Sequence, residues 1–251
     1  MAEREVVVVE GAEGVARGAA ERWTALARDA VLARGRFTVA FSGGSTPRAL
    51  FQLLAGDPYR SAIDWGRVEV FWGDERCVPP THADSNYRMA KEALLDAVPI
   101  PGERVHRIAA ESDDRDAAAA AYEAEIARVL GGEPGGAAPA FDLVLLGMGP
   151  DGHTASLFPG TAALGERRRW VVTNWVPKFG TYRITMTWAV LNRAAHVLFL
   201  IAGADKAVTL RDVLEGPAEL DRLPSQGVRP EAGRLVWLVD RAAATQLTPT
   251  A

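Results

Sequence analysis

The chain has 251 residues, of which 48% are hydrophobic and 24% are charged, and its formal net charge is −4. This is the composition of a globular protein, and the negative balance excludes a broad basic surface for nucleic acid or an anionic membrane. The single cysteine, Cys77, cannot form an internal disulfide and favours a reducing compartment. The N-terminal apolar run is too short for a signal sequence or a membrane span, so we expect a cytoplasmic protein.

Short apolar runs alternate with amphipathic helical patterns along the chain. Several of the runs are apolar on both faces, as strands covered by helices on each side must be. The predicted strands are 6–9, 37–41, 68–72, 143–146, 170–173, 182–188, 197–201 and 235–239. The predicted helices are 15–31 with Gly35 as its stop, a helix capped by Asp84 or Ser85 that runs through Leu95, 117–130, and 205–214.

This alternation predicts an α/β fold with a mostly parallel sheet and helices on both faces. The Gly- and Pro-rich tract 131–139 is either a linker between two domains or a surface loop. Strands and helices continue to alternate across it, so we predict that residues 1–251 form a single domain.

A glycine pair follows the second predicted strand. Gly43 and Gly44 permit a tight turn, and Ser45 or Thr46 can cap the next helix with Pro47 at its first position. Free backbone N–H groups, the helix dipole and two hydroxyls would then converge on one point, which favours a phosphate site. The alternative is a turn that only connects strand to helix, because a glycine pair alone is weak evidence.

A second glycine-rich turn, Gly-Met-Gly-Pro-Asp-Gly-His (147–153), follows the buried strand 143–146. It places His153 at a predicted helix start, on the carboxyl edge where open α/β sheets bind ligands. A helix N-terminus favours the neutral imidazole that a general base needs. Asp151 is close enough in sequence to orient the ring or to cap the helix. A structural or solvated histidine is the alternative reading.

Asp74, Glu75 and Arg76 also follow a predicted strand end. Two carboxylates and an arginine at that edge can bind the hydroxyls of a sugar and neutralise charge. A surface ion pair explains the same residues equally well.

Lys206 lies in the first turn of the predicted helix 205–214, where the helix dipole disfavours a cation unless an anion is bound beside it. The alternative is an exposed lysine paired with Asp205. The chain has no H-x-x-x-H motif and no clustered Cys/His set, so we expect no metal.

Taken together, these segments closely resemble the 6-phosphogluconolactonases. The matching stretches run in order from residue 41 to 244 and cover nearly the whole chain. They are FSGGSTPRAL, FWGDERCVPPTHADSNYRMAKEALL, FDLVLLGMGPDGHTASLFPG, YRITMT, IAGADKA, LPSQGVRP and WLVDRAAA. GGSTP is shared with the glucosamine-6-phosphate deaminases, whereas DERCV followed by SNY, and GPDGHTASLFP, are more specific to the lactonases.

The resemblance implies a Rossmann-like three-layer α/β sandwich without metal or cofactor. It implies hydrolysis of 6-phospho-D-glucono-1,5-lactone to 6-phospho-D-gluconate, the second step of the oxidative pentose phosphate pathway. His153 would be the catalytic histidine with Asp151 beside it, and Arg76 would serve either the oxyanion or the phosphate. The expected substrate-binding residues are Gly43, Gly44, Ser45, Thr46, Asp74, Arg183 and Lys206.

Two other functions remain open on the sequence: a deaminase-like aldose/ketose isomerase and a non-catalytic sugar-phosphate sensor. Arg76 stands where the deaminases generally carry an aromatic residue, which favours the lactonase. A sensor would commonly carry a DNA-binding segment, and the sequence has no helix-turn-helix pattern or basic arm. We therefore expect a phosphorylated sugar lactone as partner, no nucleic acid or membrane, and a monomer or weak homo-oligomer.

Overall fold

The computed structural model describes residues 4–248, so the two ends of the predicted domain, 1–3 and 249–251, lie outside it. The strands are β1 (Arg4–Val9), β2 (Phe37–Phe41), β3 (Val68–Trp72), β4 (Asp74–Arg76), β5 (Leu143–Leu146), β6 (Val171–Val176), β7 (Thr181–Met186), β8 (His196–Ile201) and β9 (Arg234–Asp240). The α-helices are α1 (Gly11–Arg34), α2 (Ser45–Leu54), α3 (Tyr59–Ala62), α4 (Asn86–Ala90), α5 (Arg115–Leu130), α6 (Trp188–Leu191), α7 (Ala207–Glu215) and α8 (Arg241–Ala244).

Six strands form one parallel sheet in the order β1-β9-β8-β5-β2-β3. Every residue of β2, β3 and β5 is buried, because both faces of these strands are covered. Their bounds coincide with the predicted strands 37–41, 68–72 and 143–146. The predicted α/β fold class is confirmed.

A second, antiparallel sheet in the order β4-β7-β6 was not predicted. The predicted strands 170–173 and 182–188 belong to it, and Trp188 begins α6 instead of ending a strand. Gly73 joins the two sheets, because its N–H donates to Phe41 O at 2.9 Å and its carbonyl accepts from Met186 N at 2.7 Å. Pairings of this kind are non-local, so the alternation pattern of one strand cannot reveal them.

The helix ends follow ordinary capping chemistry. Gly35 adopts φ 74° and donates its N–H to Val31 O at 2.8 Å, which confirms the predicted stop of α1. Ser85 is the N-cap of α4 and accepts from Arg88 N at 3.1 Å. Asp114 caps α5, which therefore begins two residues before the predicted start at 117.

Aromatic side chains fill the core on either side of the parallel sheet. Trp23 on α1 packs against Phe37 and Phe41, with ring centroids 5.6 and 5.5 Å apart. Phe199 and Trp237 stack at 3.8 Å between neighbouring strands. Burial of each such side chain contributes about 1.5–3 kcal/mol, so the strand ends stand on a rigid support. Between residues 4 and 248, no helix has the length and apolarity needed to cross a membrane.

Candidate active site

A change of direction in the parallel sheet fixes where a cleft forms. The chain runs from β2 outward to β3, whereas the later β5 lies on the other side of β2 and leads to β8. Loops leaving the carboxyl ends of β2 and β5 therefore diverge, and open α/β sheets bind ligands in such crevices. A cleft of about 260 Å³ lies at this point. It is lined by residues 42–44 and 147–150, together with Asp74, Arg76, Asn86, His153, Ala155 and Lys206.

The turn after β2 leads directly into α2. Gly44 is the N-cap, so Ser45 and Thr46 already occupy helical positions and neither hydroxyl caps the helix. The prediction of a Ser45 or Thr46 cap with Pro47 in the first position is therefore wrong. The first-turn N–H groups and the dipole still favour an anion. Gly43 and Gly44 line the cleft and Ser45 lines an adjoining recess, whereas Thr46 lines neither.

Glu75 does not line the cleft but binds the backbone beside it. The sequence had suggested that its carboxylate binds the hydroxyls of a sugar. Its buried carboxylate accepts from the backbone N–H groups of Arg76, Asn86 and Tyr87, each at 2.8 Å, and from Ser85 Oγ at 3.1 Å. Burial raises the pKa of Glu75, and these backbone hydrogen bonds oppose the rise. The carboxylate thereby fixes the start of α4 beside the cleft.

Asp74 and Arg76 present an acceptor and a cation to the cleft. Asp74 Oδ2 accepts from Ser156 Oγ at 2.6 Å, and its carbonyl accepts from Asn86 Nδ2 at 2.9 Å. Arg76 donates through Nη1 to Asp84 O at 2.6 Å and also lines the adjoining recess. Both residues line the cleft, so the binding of sugar hydroxyls and the neutralisation of charge that the sequence suggested for this segment stay a prediction.

The turn that carries His153 does not begin a helix, so the predicted helix dipole is not available to the imidazole. The backbone reverses on itself instead. Gly152 N donates to Gly149 O at 3.0 Å, and Gly149 N donates to His153 O at 2.9 Å. Thr154 Oγ1 then donates to Gly147 O at 2.8 Å. These bonds close the loop into a compact turn, where a helix would have left its first N–H groups free.

The polar partner of the imidazole is a carboxylate and not a helix terminus. Asp151 Oδ1 lies 2.5 Å from His153 Nδ1, and Asp151 Oδ2 accepts from Lys178 Nζ at 2.7 Å. Partial burial opposes ionisation of Asp151, but the hydrogen bonds from His153 and Lys178 outweigh it and hold the pKa of this carboxyl well below its usual range. The anion accepts a proton carried on Nδ1 and leaves Nε2 as the acceptor nitrogen of the ring. Of the two predicted roles of Asp151, this geometry fits ring orientation.

Close packing restricts the imidazole from several sides. The ring of Phe158 stacks on that of His153 with centroids 4.0 Å apart. A Cβ on residue 149 would lie 2.0 Å from His153 Nδ1, so Gly149 is required for this approach. Ser225, from the LPSQG stretch, donates through its backbone N and Oγ to Gly152 O at 2.9 and 2.8 Å. The His153 ring is therefore held by Phe158, and the turn that carries it is held by Ser225.

The remaining predicted cations occupy different positions. Lys206 ends the 3-10 turn Ala204–Lys206, so α7 begins two residues later than predicted. Its side chain is 20% exposed, lines the cleft and pairs with Asp205 at 2.8 Å. Arg183 lies opposite Arg76 in the β4–β7 register, outside the lining of the cleft. Burial and the charge of Arg76 lower the pKa of Arg183.

The structure brings most of the predicted residues together. Gly43, Gly44, Asp74, Arg76, His153 and Lys206 line the cleft, Asp151 contacts His153, Ser45 lines the adjoining recess, and Thr46 and Arg183 lie to the side. The sequence reasoning did not single out Asn86, Phe158 or Lys178. Asn86 follows a helix cap in the SNY motif, which is a local signal. Lys178 has none, because it reaches Asp151 across 27 residues of chain.

Comparisons with known proteins agree with this arrangement. Residues 10–237 match the family described as glucosamine-6-phosphate isomerases/6-phosphogluconolactonase. The chain is similar to a 6-phosphogluconolactonase of Nostoc sp., with 43% identity over 219 residues covering 87% of this chain and 88% of the relative. It is similar to a 6-phosphogluconolactonase of Streptomyces coelicolor, with 41% identity over 248 residues covering 97% and 94%.

A solved structure, 6-phosphogluconolactonase from Trypanosoma cruzi, superposes with a TM-score of 0.87 at 30% identity over 99% of each chain. The family match and these relatives extend over most of the described strands and helices. The chain therefore belongs to the glucosamine-6-phosphate isomerase/6-phosphogluconolactonase family, as the motifs predict.

Proposed function

We propose that this chain hydrolyses 6-phospho-D-glucono-1,5-lactone to 6-phospho-D-gluconate, the second step of the oxidative pentose phosphate pathway. The observation that carries the proposal is the His153–Asp151 pair in a cleft that also holds Arg76 and Lys206. A base and two cations in one cleft suit a substrate that has both a lactone carbonyl and a phosphate. The names of the relatives at 43% and 41% identity support the same reaction.

His153 is the proposed general base. Nε2 takes a proton from water as the water oxygen attacks the lactone carbonyl carbon. The bond from that carbon to the ring oxygen then breaks, and the imidazolium returns the proton to the departing oxygen. The products are a hydroxyl and a carboxylic acid, which ionises in water. Asp151 stabilises the imidazolium between the two steps and keeps the ring in one orientation.

The carbonyl oxygen gains negative charge during the attack, and donors already in place lower that barrier. Arg76 is the proposed donor to this oxyanion, and a role in holding the phosphate is its alternative. The remaining proposed phosphate ligands are Gly43, Gly44, Ser45 and Lys206. Thr46 and Arg183, which the sequence also suggested, lie outside the lining of the cleft. Asp74 is proposed to accept hydrogen bonds from sugar hydroxyls.

The decisive experiment compares two reactions on the same protein. The lactone is generated in situ, and 6-phosphogluconate is followed with its NADP-dependent dehydrogenase. Lactones also hydrolyse without help, so the rate is measured against the uncatalysed background. Glucosamine 6-phosphate is assayed in parallel for ammonia release. We expect lactone hydrolysis that depends on His153 and no ammonia.

The alternatives give different results in the same experiment. Ammonia release with lactone loss at the background rate would establish a deaminase. Absence of both reactions, with a melting temperature raised by both ligands, would show binding without catalysis and would favour a sugar-phosphate sensor.

We also propose a domain organisation, a localisation and an oligomeric state for the protein. One core cluster contains residues of the parallel sheet, the second sheet and the helices around them, which supports residues 1–251 as a single domain. A cytoplasmic monomer or weak homo-oligomer without a nucleic-acid partner is proposed. Among residues 4–248 no group of three potential His, Cys, Asp or Glu ligands is placed to hold a metal. Activity that persists after dialysis against a chelator would agree with a reaction carried by side chains alone.

A further inference from the structure

Lys178 lies at the tip of the hairpin between β6 and β7 and reaches across to the turn that carries His153. Its Nζ lies 2.7 Å from Asp151 Oδ2, while His153 Nδ1 contacts Oδ1 of the same carboxylate. We propose that Lys178 is a positioning residue for the hydrolysis, because it fixes the carboxylate of Asp151 that orients His153. The inference rests on the proposed function of the site.

The geometry explains why a second partner matters to this carboxylate. The terminal torsion of an aspartate is broad, so one hydrogen bond leaves the group free to swing. A donor on each oxygen removes that freedom, because hydrogen bonds to an ionised carboxylate are charge-assisted and therefore short and directional. The Asp151 side chain is only 24% exposed, which limits the water that can compete for either oxygen.

Neighbouring contacts tie the hairpin tip to the same histidine by a second route. The tip is the 3-10 turn Pro177–Phe179, followed by Gly180 with φ 59°. The ring of Phe179 meets that of Phe158 edge-on at 5.6 Å, and Phe158 stacks on His153 at 4.0 Å. One turn of the second sheet thus supports the imidazole through a carboxylate on one side and an aromatic ring on the other.

An ordinary surface ion pair is the competing explanation, because the Lys178 side chain is 51% exposed. The two explanations differ in what a substitution changes. Loss of a surface pair alters stability slightly and leaves catalysis alone. Loss of a positioning residue lowers kcat and changes its pH profile while the protein stays folded.

The test compares Lys178→Met with Lys91→Met, which removes another lysine–aspartate pair, Lys91–Asp96, outside the lining of the cleft. We expect Lys178→Met to lower kcat about threefold to thirtyfold with KM nearly unchanged, because the base is less well oriented. Lys178→Arg should retain most of the activity, and Lys91→Met should retain all of it. Melting temperatures of the variants should stay close to that of the wild type.

The pH dependence tests a second consequence, which is the electrostatic coupling of Lys178 to His153 through the shared Asp151 carboxylate. Without Lys178 the charge of Asp151 is less compensated and holds the imidazolium proton more strongly, so the acid limb of kcat should move to higher pH. An NMR titration of the His153 ring, which needs no turnover, should move in the same direction in Lys178→Met and not in Lys91→Met.

A double-mutant cycle measures whether Lys178 acts through Asp151. In an Asp151→Asn background, Lys178→Met should cost less than about twofold, because the group it positions is already altered. Equal losses in both backgrounds, or a Lys178→Met enzyme that matches Lys91→Met in kcat and in the NMR titration, would overturn the inference while the lactonase proposal stands. Lactone loss at the background rate in the wild type would instead remove the proposed function itself.

Discussion

The side-chain oxygen Oδ1 of Asn86 lies 1.9 Å from the position that a Cβ on Gly43 would occupy. Asn86 cannot retreat easily, since Glu75 Oε1 accepts its backbone N–H at 2.8 Å and the Asp74 carbonyl accepts its Nδ2 at 2.9 Å. The glycine is therefore needed for the close approach of a side chain that lines the cleft, in addition to any role in the turn.

Gly43→Ala should consequently displace Asn86 and lower kcat/KM for the lactone about tenfold to a hundredfold, the scale of a misplacement of about 1 Å. Gly165→Ala is the matched control, because a Cβ there meets no atom within 4 Å. Steady-state kinetics and thermal unfolding on both variants make the comparison. Activity of Gly43→Ala within twofold of the control would contradict the assigned contact.

His153→Ala should reduce kcat by about 10²–10⁴, the usual contribution of a general base. The substitution removes a ring that Asp151 and Phe158 hold in place, so circular dichroism and thermal unfolding must show that the fold persists. His82→Ala, which truncates a histidine outside the lining of the cleft, should behave like the wild type. A near-normal kcat for His153→Ala at neutral pH would end its assignment as the base.

Lys206→Met tests the proposed contact of this lysine with the substrate phosphate. The Lys206 side chain is only 20% exposed whereas its partner Asp205 is 65% exposed, so the ammonium is partly withdrawn into the cleft wall. We expect kcat/KM to fall about tenfold to a hundredfold for the phosphorylated lactone, the value of one charge-assisted hydrogen bond. Unphosphorylated gluconolactone should be affected far less, and Lys91→Met should affect neither. Equal losses on both lactones would assign Lys206 to the carbonyl end instead.

The sequence predicts the local parts of this site well. A buried strand followed by glycines is a short-range signal, so the turns after β2 and β5 could be placed at the edge of the sheet, with Gly43 and His153 on them. Caps are less certain, because several neighbouring residues compete for one position. Gly44 is the N-cap of α2, where Ser45 or Thr46 was expected.

The non-local parts could not be predicted in the same way. Gly73 bridges β2 and β7 between the two sheets, and no pattern within one strand encodes that contact. Lys178 reads as an ordinary loop lysine until the hairpin brings it to Asp151. The turn at His153 is also held in part by a non-local contact, because Ser225 donates two hydrogen bonds to Gly152 O in addition to the bonds within the turn.

Glu125 contacts a buried histidine, His106, outside the lining of the cleft. His106 is 6% exposed, and its Nε2 lies 2.9 Å from Glu69 Oε2 while its Nδ1 lies 2.7 Å from Glu125 Oε1. Hydrogen bonds from Arg128 and, to a smaller extent, His106 lower the pKa of Glu125 from 4.5 to about 2. The folded protein thus holds the Glu125 anion more firmly than the unfolded chain does.

A carboxyl whose pKa is lowered by folding stabilises the protein above its unfolded pKa, and this contribution is lost as the pH falls towards the folded value. Glu125→Gln should therefore lower the free energy of unfolding near pH 6, and the difference from wild type should shrink as the pH is lowered from about 4.5 towards 2. Urea unfolding at pH 3, 4, 5 and 6 measures it, with Glu21→Gln, an exposed glutamate on α1, as control. A difference that stays constant or grows towards low pH would mean that the Glu125 carboxylate, paired chiefly with Arg128, does not stabilise the folded protein.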